Sequence, residues 1–141
     1  MPDCPSIFSV AIHLVSLSFR IKGMIGQSDW IAIQGECVGP KIQKNKYKVS
    51  DYDLYVFNLI YPEGRMDSMS AKLCCEYAGL QFVPILGTGV TLPDSVDEVL
   101  AYAHGTSKLY DTLREGVVFR SADGKKSFKA VDPLFLLKHD E

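Results

Sequence analysis

The chain has 141 residues, 15 basic against 17 acidic, with a formal charge of −2. A hydrophobic fraction of 47% and a charged fraction of 23% exclude a disordered chain. The balanced charge excludes a nucleic-acid partner held by global charge alone, and the length suits a single domain over residues 1–141.

Ile7 to Phe19 is the most apolar stretch. Its 13 residues fall short of the ~20 that a spanning helix needs. The start, Met1-Pro2-Asp3, is acidic where a signal peptide is positive, so a weak signal peptide is the lesser alternative to a buried core element. Val10, Ile12 and Leu14 alternate as in a strand, whereas Phe8, Ile12, Val15 and Phe19 fit a helix, so periodicity leaves both open. No membrane span and a cytoplasmic location are expected.

Trp30 to Val38 reads as a strand, and Gly39-Pro40 permits a sharp change of direction before the basic loop Lys41–Lys48. Tyr52 to Tyr61 is the clearest strand, dense in aromatic and branched residues and stopped by Pro62-Glu63-Gly64. Ser68 to Tyr77 reads as a helix capped by Asp67 or Ser68 and ended by Gly79. Its expected apolar face is Met69, Leu73, Tyr77 and Leu80.

Gln81 to Leu86 is expected as a strand interrupted by Pro84. Ser95-Val96-Asp97-Glu98 forms a capping box before a face of Val96, Val99, Leu100 and Ala103, and Gly105 is expected to end that helix. Glu115–Ser121 and Lys126–Val131 read as a hairpin around Ala122-Asp123-Gly124, and Pro133–Leu137 as a final apolar element. The sum is an α+β fold, mostly antiparallel sheet with two or three helices.

Cys4, Cys37, Cys74 and Cys75 form no C-x-x-C pair, and His13, His104 and His139 stand alone, so zinc-ligand spacing is absent. Reduced thiols are expected.

Three segments carry chemistry. The first runs Gln34-Gly35-Glu36, Gly39-Pro40, Ile42-Gln43, Asn45 and Tyr47, and the second is Tyr55-Val56-Phe57-Asn58-Leu59-Ile60-Tyr61. The third is Glu115-Gly116-Val117-Val118-Phe119-Arg120 followed by Ser127-Phe128-Lys129-Ala130. In this order they resemble motifs III, IIIa, IV and V of the ATP-dependent RNA ligases, within the polynucleotide ligase and mRNA-capping nucleotidyltransferase superfamily. The resemblance covers residues 31–138 and leaves 1–30 as a divergent apolar segment. It implies a partial ATP-grasp-like nucleotidyltransferase domain.

The resemblance implies that Glu36 meets a nucleotide ribose, Phe57 stacks on adenine, Glu115 helps hold a divalent metal and Lys129 meets the α-phosphate. These roles agree with their chemistry. A carboxylate only accepts, which suits a ribose hydroxyl or Mg²⁺. An ammonium is a point charge for a phosphoryl oxygen, and an aromatic ring is a platform for a base. Taken singly, Glu115 is a solvated strand end, Lys129 protects a sheet edge and Phe57 is a core residue. Lys41, Lys44, Lys46 and Lys48 form either a phosphate-tracking strip for RNA or a solvated loop.

The hairpin register bears on the pairing of Glu115 with Lys129. A two-residue turn pairs Val118 with Lys129 and sends the two charges to opposite faces. A three-residue Ala122-Asp123-Gly124 loop pairs Val117 with Lys129 and brings them to one face, and this register is expected.

The family's K-x-D-G motif, whose lysine forms the AMP adduct, does not occur. Lys22-Gly23-Met24-Ile25-Gly26 is a loose echo, only 14 residues before Glu36. Ser127 stands where many relatives carry a second lysine. The resemblance thus implies the C-terminal portion of a catalytic domain without its nucleophile, not a competent ligase alone. ATP or AMP with Mg²⁺ is the implied cofactor set, and nucleotide and RNA ends are the implied partners. A homo-oligomer covering an exposed sheet edge or apolar face is also expected. The alternatives are a non-catalytic nucleotide- or RNA-binding module and a degenerate structural remnant.

Overall fold

Alternating apolar and polar residues after Trp30 build the first sheet. The computed structural model describes residues 8–10, 30–41, 45, 48 and 50–139. The chain divides into two compact units, Met1–Val83 and Pro84–Glu141.

In the first unit, β2 (Ala32–Val38) pairs antiparallel with β3 (Asp53–Tyr61). β1 (Phe8–Val10) adds to the outer edge of β2. The rest of the apolar segment 7–19 and the Lys22–Gly26 echo lie outside the described residues. β4 (Gly64–Arg65) turns back on the end of β3, and β5 (Gln81–Phe82) pairs with it in parallel at Tyr55 and Val56. The strand expected over Gln81–Leu86 is thus shorter. The Val83 N–H still reaches Val56 O at 2.8 Å, but Pro84 has no N–H to continue the ladder.

The β2–β3 ladder contains a bulge. Gln34 faces Asn58 and Gly35 faces Val56, which leaves Phe57 without a partner across the ladder. Gly35 permits the close approach there, since a Cβ would fall 2.8 Å from Tyr55 O.

Helix α1 (Ser68–Ala78) starts at Asp67, whose carboxylate accepts the Ser70 N–H at 2.9 Å. It ends at Gly79, where φ is 75° and the Leu80 N–H closes onto Cys75 O at 2.8 Å. The core joins Ile33, Val56 and Leu59 of the sheet to Ala71, Cys74 and Cys75 of α1, with Ile31, Met66, Leu80 and Phe82 at its margin. This corrects the expected helix face. Only Leu80 of that set packs inward, whereas Met69, Leu73 and Tyr77 are exposed. The inward stripe of the helix is the small one, Ala71, Cys74 and Cys75, set against Ile33, Val56 and Leu59 of the sheet. Burial, with smaller contributions from the Cys74 and Glu76 charges, pushes the Cys75 thiol from 9.0 to about 11. Its neighbour Cys74 is raised by burial and then by the Asp67 charge.

In the second unit, α2 (Val96–Ala103) begins at Ser95, whose hydroxyl accepts the Glu98 N–H at 3.2 Å. It ends at His104, one residue before the expected Gly105. The reason is a distant side chain. The Arg114 guanidinium donates to the carbonyls of Tyr102 at 2.7 Å, Ala103 at 2.8 Å and His104 at 2.9 Å. β6 (Gly116–Arg120) and β7 (Ser127–Val131) form an antiparallel hairpin. Tyr102 of α2 lies 5.5 Å from Phe119, which stacks on Phe128 at 5.0 Å.

The final apolar element is a helix, α3 (Pro133–His139). Asp132 caps it by accepting the Leu134 N–H at 3.0 Å, Pro133 takes the first helical position and Phe135 is fully buried. No helix among the described residues is long and apolar enough to cross a membrane.

The reassigned face of α1 is open to test by urea unfolding. Leu73→Gln will stay within about 0.5 kcal/mol of the parent, whereas Ala71→Leu will overpack the core and cost about 1–3 kcal/mol. The raised Cys75 thiol sets a pH dependence. The fold holds the neutral thiol, so the contribution of Cys75 to stability will be constant below pH 9 and will fall as pH rises from 9.0 toward about 11, a loss that Cys75→Ala reduces.

Candidate functional site

Glu36 and Phe57 lie in the first unit, Glu115 and Lys129 in the second. Glu36 pairs across the ladder with Tyr55, and Gln34 with Asn58. All four belong to the sheet face opposite α1, because Ile33, Val56 and Leu59 face the helix. The strip is polar and internally bonded. Asn58 donates from Nδ2 to Gln34 Oε1 at 2.7 Å, and the Tyr55 hydroxyl donates to Asp53 Oδ2 at 3.1 Å. Asp53 also accepts from Gln81 Nε2. Glu36 is half-buried at the middle of this strip.

Phe57 is the bulged residue of β3, half-buried between the buried Val56 and Asn58. A bulge breaks the two-residue alternation and frees one side chain from its assigned face. Of the basic loop, Lys41 and Lys48 are exposed, and Lys44 and Lys46 lie outside the described residues. Asn45 and Lys48 take left-handed backbone at φ 50° and 53°, and the Lys48 N–H closes onto Asn45 O at 2.8 Å.

In the second unit, Lys129 Nζ donates to Glu115 Oε1 at 2.5 Å. The two charges meet, but not by the expected register. Val118, not Val117, pairs with Lys129. The loop has four residues, closed by the Ser121 N–H on Lys126 O at 2.9 Å. It lengthens because Asp123 accepts from the Ser121 hydroxyl at 2.6 Å and the Lys125 N–H at 3.0 Å, contacts that also lower the Asp123 carboxyl. Gly124 does take the expected left-handed conformation, at φ 69°. Glu115 precedes β6 by one residue, so strand alternation does not dictate its direction, and the long lysine reaches it.

Gly116 makes the strand start possible, since a Cβ there would fall 2.1 Å from Ala130 O. The lysine and glutamate side chains are 48% and 25% exposed, so water screens the pair. Among the described residues no group of three or more His, Cys, Asp or Glu is placed to hold a metal ion. As a single carboxylate, Glu115 would supply one oxygen ligand to a divalent cation and no more.

A family model described as RNA ligase matches residues 3–131. The chain belongs to the RNA ligase family. The match begins at residue 3, upstream of the Ile31 where the motifs start. Among solved structures, the Naegleria gruberi RNA ligase with PPi is 29% identical, with a TM-score of 0.72 over 89% of this chain and 40% of its own. A variant of that ligase with ATP and Mn is 28% identical, with a TM-score of 0.73 over 89% and 40%. Another variant, with AMP and Mn, is 29% identical, with a TM-score of 0.72 over the same shares. The chain thus spans about 40% of the length of these ligases. A search of curated proteins finds no match. The α+β nucleotidyltransferase fold of the RNA ligases, with three helices among the described residues, is the fold of this chain.

Several residues that support the site in this RNA ligase domain escaped the sequence. Arg114 lies 10 to 12 positions from the carbonyls it binds, and no local pattern announces such a contact. The Gln34–Asn58 bond spans 24 positions across a bulge. Asp132 had a signal, because Asp-Pro before an apolar run is a helix start. The Glu115–Lys129 pair is not a stability device. Glu115→Gln and Lys129→Ala will each shift urea stability by no more than about 1 kcal/mol.

Proposed function

We propose that this chain is a nucleotide-binding RNA ligase domain that takes ATP or AMP with a divalent cation and does not form the AMP adduct by itself. The Glu115–Lys129 contact supports this reading most. It joins an oxygen ligand for a cation to an ammonium suited to a phosphoryl oxygen, on a half-exposed pair that contributes little to folding.

In this reading Glu36 accepts from a ribose hydroxyl and Phe57 supplies the platform for the base. Glu115 contributes a carboxylate to Mg²⁺ or Mn²⁺, and Lys129, released from Glu115, meets the α-phosphate. The cation supplies charge neutralisation at the phosphates when bound. Lys129 adds a fixed positive charge at the oxygen where negative charge builds during nucleotidyl transfer. Lys41 and Lys48, with Lys44 and Lys46, are proposed to track RNA phosphates. The adduct step needs an amine nucleophile, and the K-x-D-G pattern that supplies it in the family is absent from these 141 residues.

Calorimetric titration with ATP and Mn²⁺, paired with intact-mass measurement, tests the proposal. Saturable binding with no added AMP mass is the expected result. Glu115→Gln will weaken metal-dependent binding about 10-fold or more, the scale of a lost charge-assisted contact. Phe57→Ala will weaken ATP binding by about 5-fold or more, the scale of one lost base stack. A covalent AMP adduct on the wild-type chain, or no binding heat at all, overturns the reading.

A further inference from the structure

We propose that Arg114 is a positioning residue that aims the Glu115 carboxylate. The contacts around it form a closed ring within the second unit. The guanidinium donates to Tyr102 O, Ala103 O and His104 O at 2.7, 2.8 and 2.9 Å. The His104 ring nitrogen Nδ1 lies 2.8 Å from Oδ2 of Asp132, which is 1% exposed. The Asp132 backbone N–H donates to Glu115 O at 2.8 Å, and Glu115 follows Arg114 in the chain. The Arg114 N–H adds a further bond to Gly105 O at 3.0 Å.

Glu115 therefore leads into β6 with its backbone held by the Asp132 N–H and by the neighbouring Arg114. Such fixing matters because Gly116 follows, and glycine by itself restrains its neighbours least. Gly105 has a φ of 145°, and a Cβ there would fall 3.3 Å from Arg114 Cζ, so the chain leaves the guanidinium its place. The positive charge also sits at the negative end of the α2 dipole. A lysine cannot replace it, since an ammonium on a flexible stem lacks the planar fork that serves three carbonyls at once.

The test reads Glu115 through Lys129 on the full chain. An amine held against a carboxylate is less free to meet the reagent, so its acylation is slowed. Acetylation of Lys129 by N-hydroxysuccinimidyl acetate is measured by mass spectrometry against Lys125 in the same molecule. Glu115→Gln is expected to raise the Lys129/Lys125 ratio about two- to five-fold, the range of an exposed ion pair. Arg114→Met is expected to reproduce at least half of that rise, with Arg114→Lys in between. An Arg114→Met ratio equal to wild type overturns the proposal. If Arg114→Met shows no cooperative melt, Arg114→Lys decides in the same way: a raised ratio supports it and a wild-type ratio overturns it.

A second measurement rests on the functional reading above. Mn²⁺ affinity in the presence of ATP, read by electron paramagnetic resonance, is expected to fall in Arg114→Met while metal-free ATP affinity holds. Equal losses in both would mean a merely structural role and overturn the proposal. If the wild-type chain binds neither ATP nor Mn²⁺, the functional reading fails, and the acetylation ratio still decides Arg114.

Discussion

Strand β3 is the constraint on which the first unit depends. It holds β2 along one edge and β4 and β5 along the other, and it sends Val56 and Leu59 into the core. A strand so placed must satisfy a ladder on both edges and a helix on one face. The bulge at Phe57 reconciles these demands. It shifts the alternation by one, so Val56 and Leu59 both face α1 although they are three residues apart. The same shift puts Asn58 opposite Gln34 and Tyr55 opposite Glu36. The polar strip and the apolar core are two consequences of a single extra residue.

The second unit solves a different problem. Its helices are short, and a short helix leaves most of its end groups without internal partners. Arg114 supplies the donors at the end of α2, Asp132 the acceptor at the start of α3, and His104 links the two. The first residues of the β6–β7 hairpin are built into this network. Glu115 is thereby a residue of ordinary exposure whose backbone is unusually well fixed. That combination suits the role proposed for Glu115, a carboxylate that meets a cation without being buried by the protein.

The two charged groups of the hairpin also show how chemistry and folding separate here. Glu115 and Lys129 lie near the surface, where an ion pair contributes little to stability, while Phe135, Ala103 and Ala130 are buried. In the first unit Glu36 stands on the sheet face away from the core. Residues that carry the proposed chemistry are therefore replaceable without unfolding, whereas Gly35 and Gly116, which carry none, are constrained by backbone a few ångströms away.

The motif order by itself determined the family and named the candidates Glu36, Phe57, Glu115 and Lys129, because the motifs lie in short local strings. Caps were equally legible at Asp67, Ser95 and Gly79, since a cap satisfies backbone groups within four residues of itself. The buried face of α1 was not. Met69, Leu73 and Tyr77 have helical spacing and apolar character, yet only packing against the sheet selects the small stripe Ala71, Cys74 and Cys75. The hairpin register was not legible either, because the Ser121 and Asp123 side chains lengthen the loop through bonds that residue spacing does not reveal. Tertiary structure also decided the bulge at Phe57, the Arg114 cap and the Glu115–Lys129 contact. Each joins groups across 10 or more positions, and their energy exists only once the chain has brought those groups together.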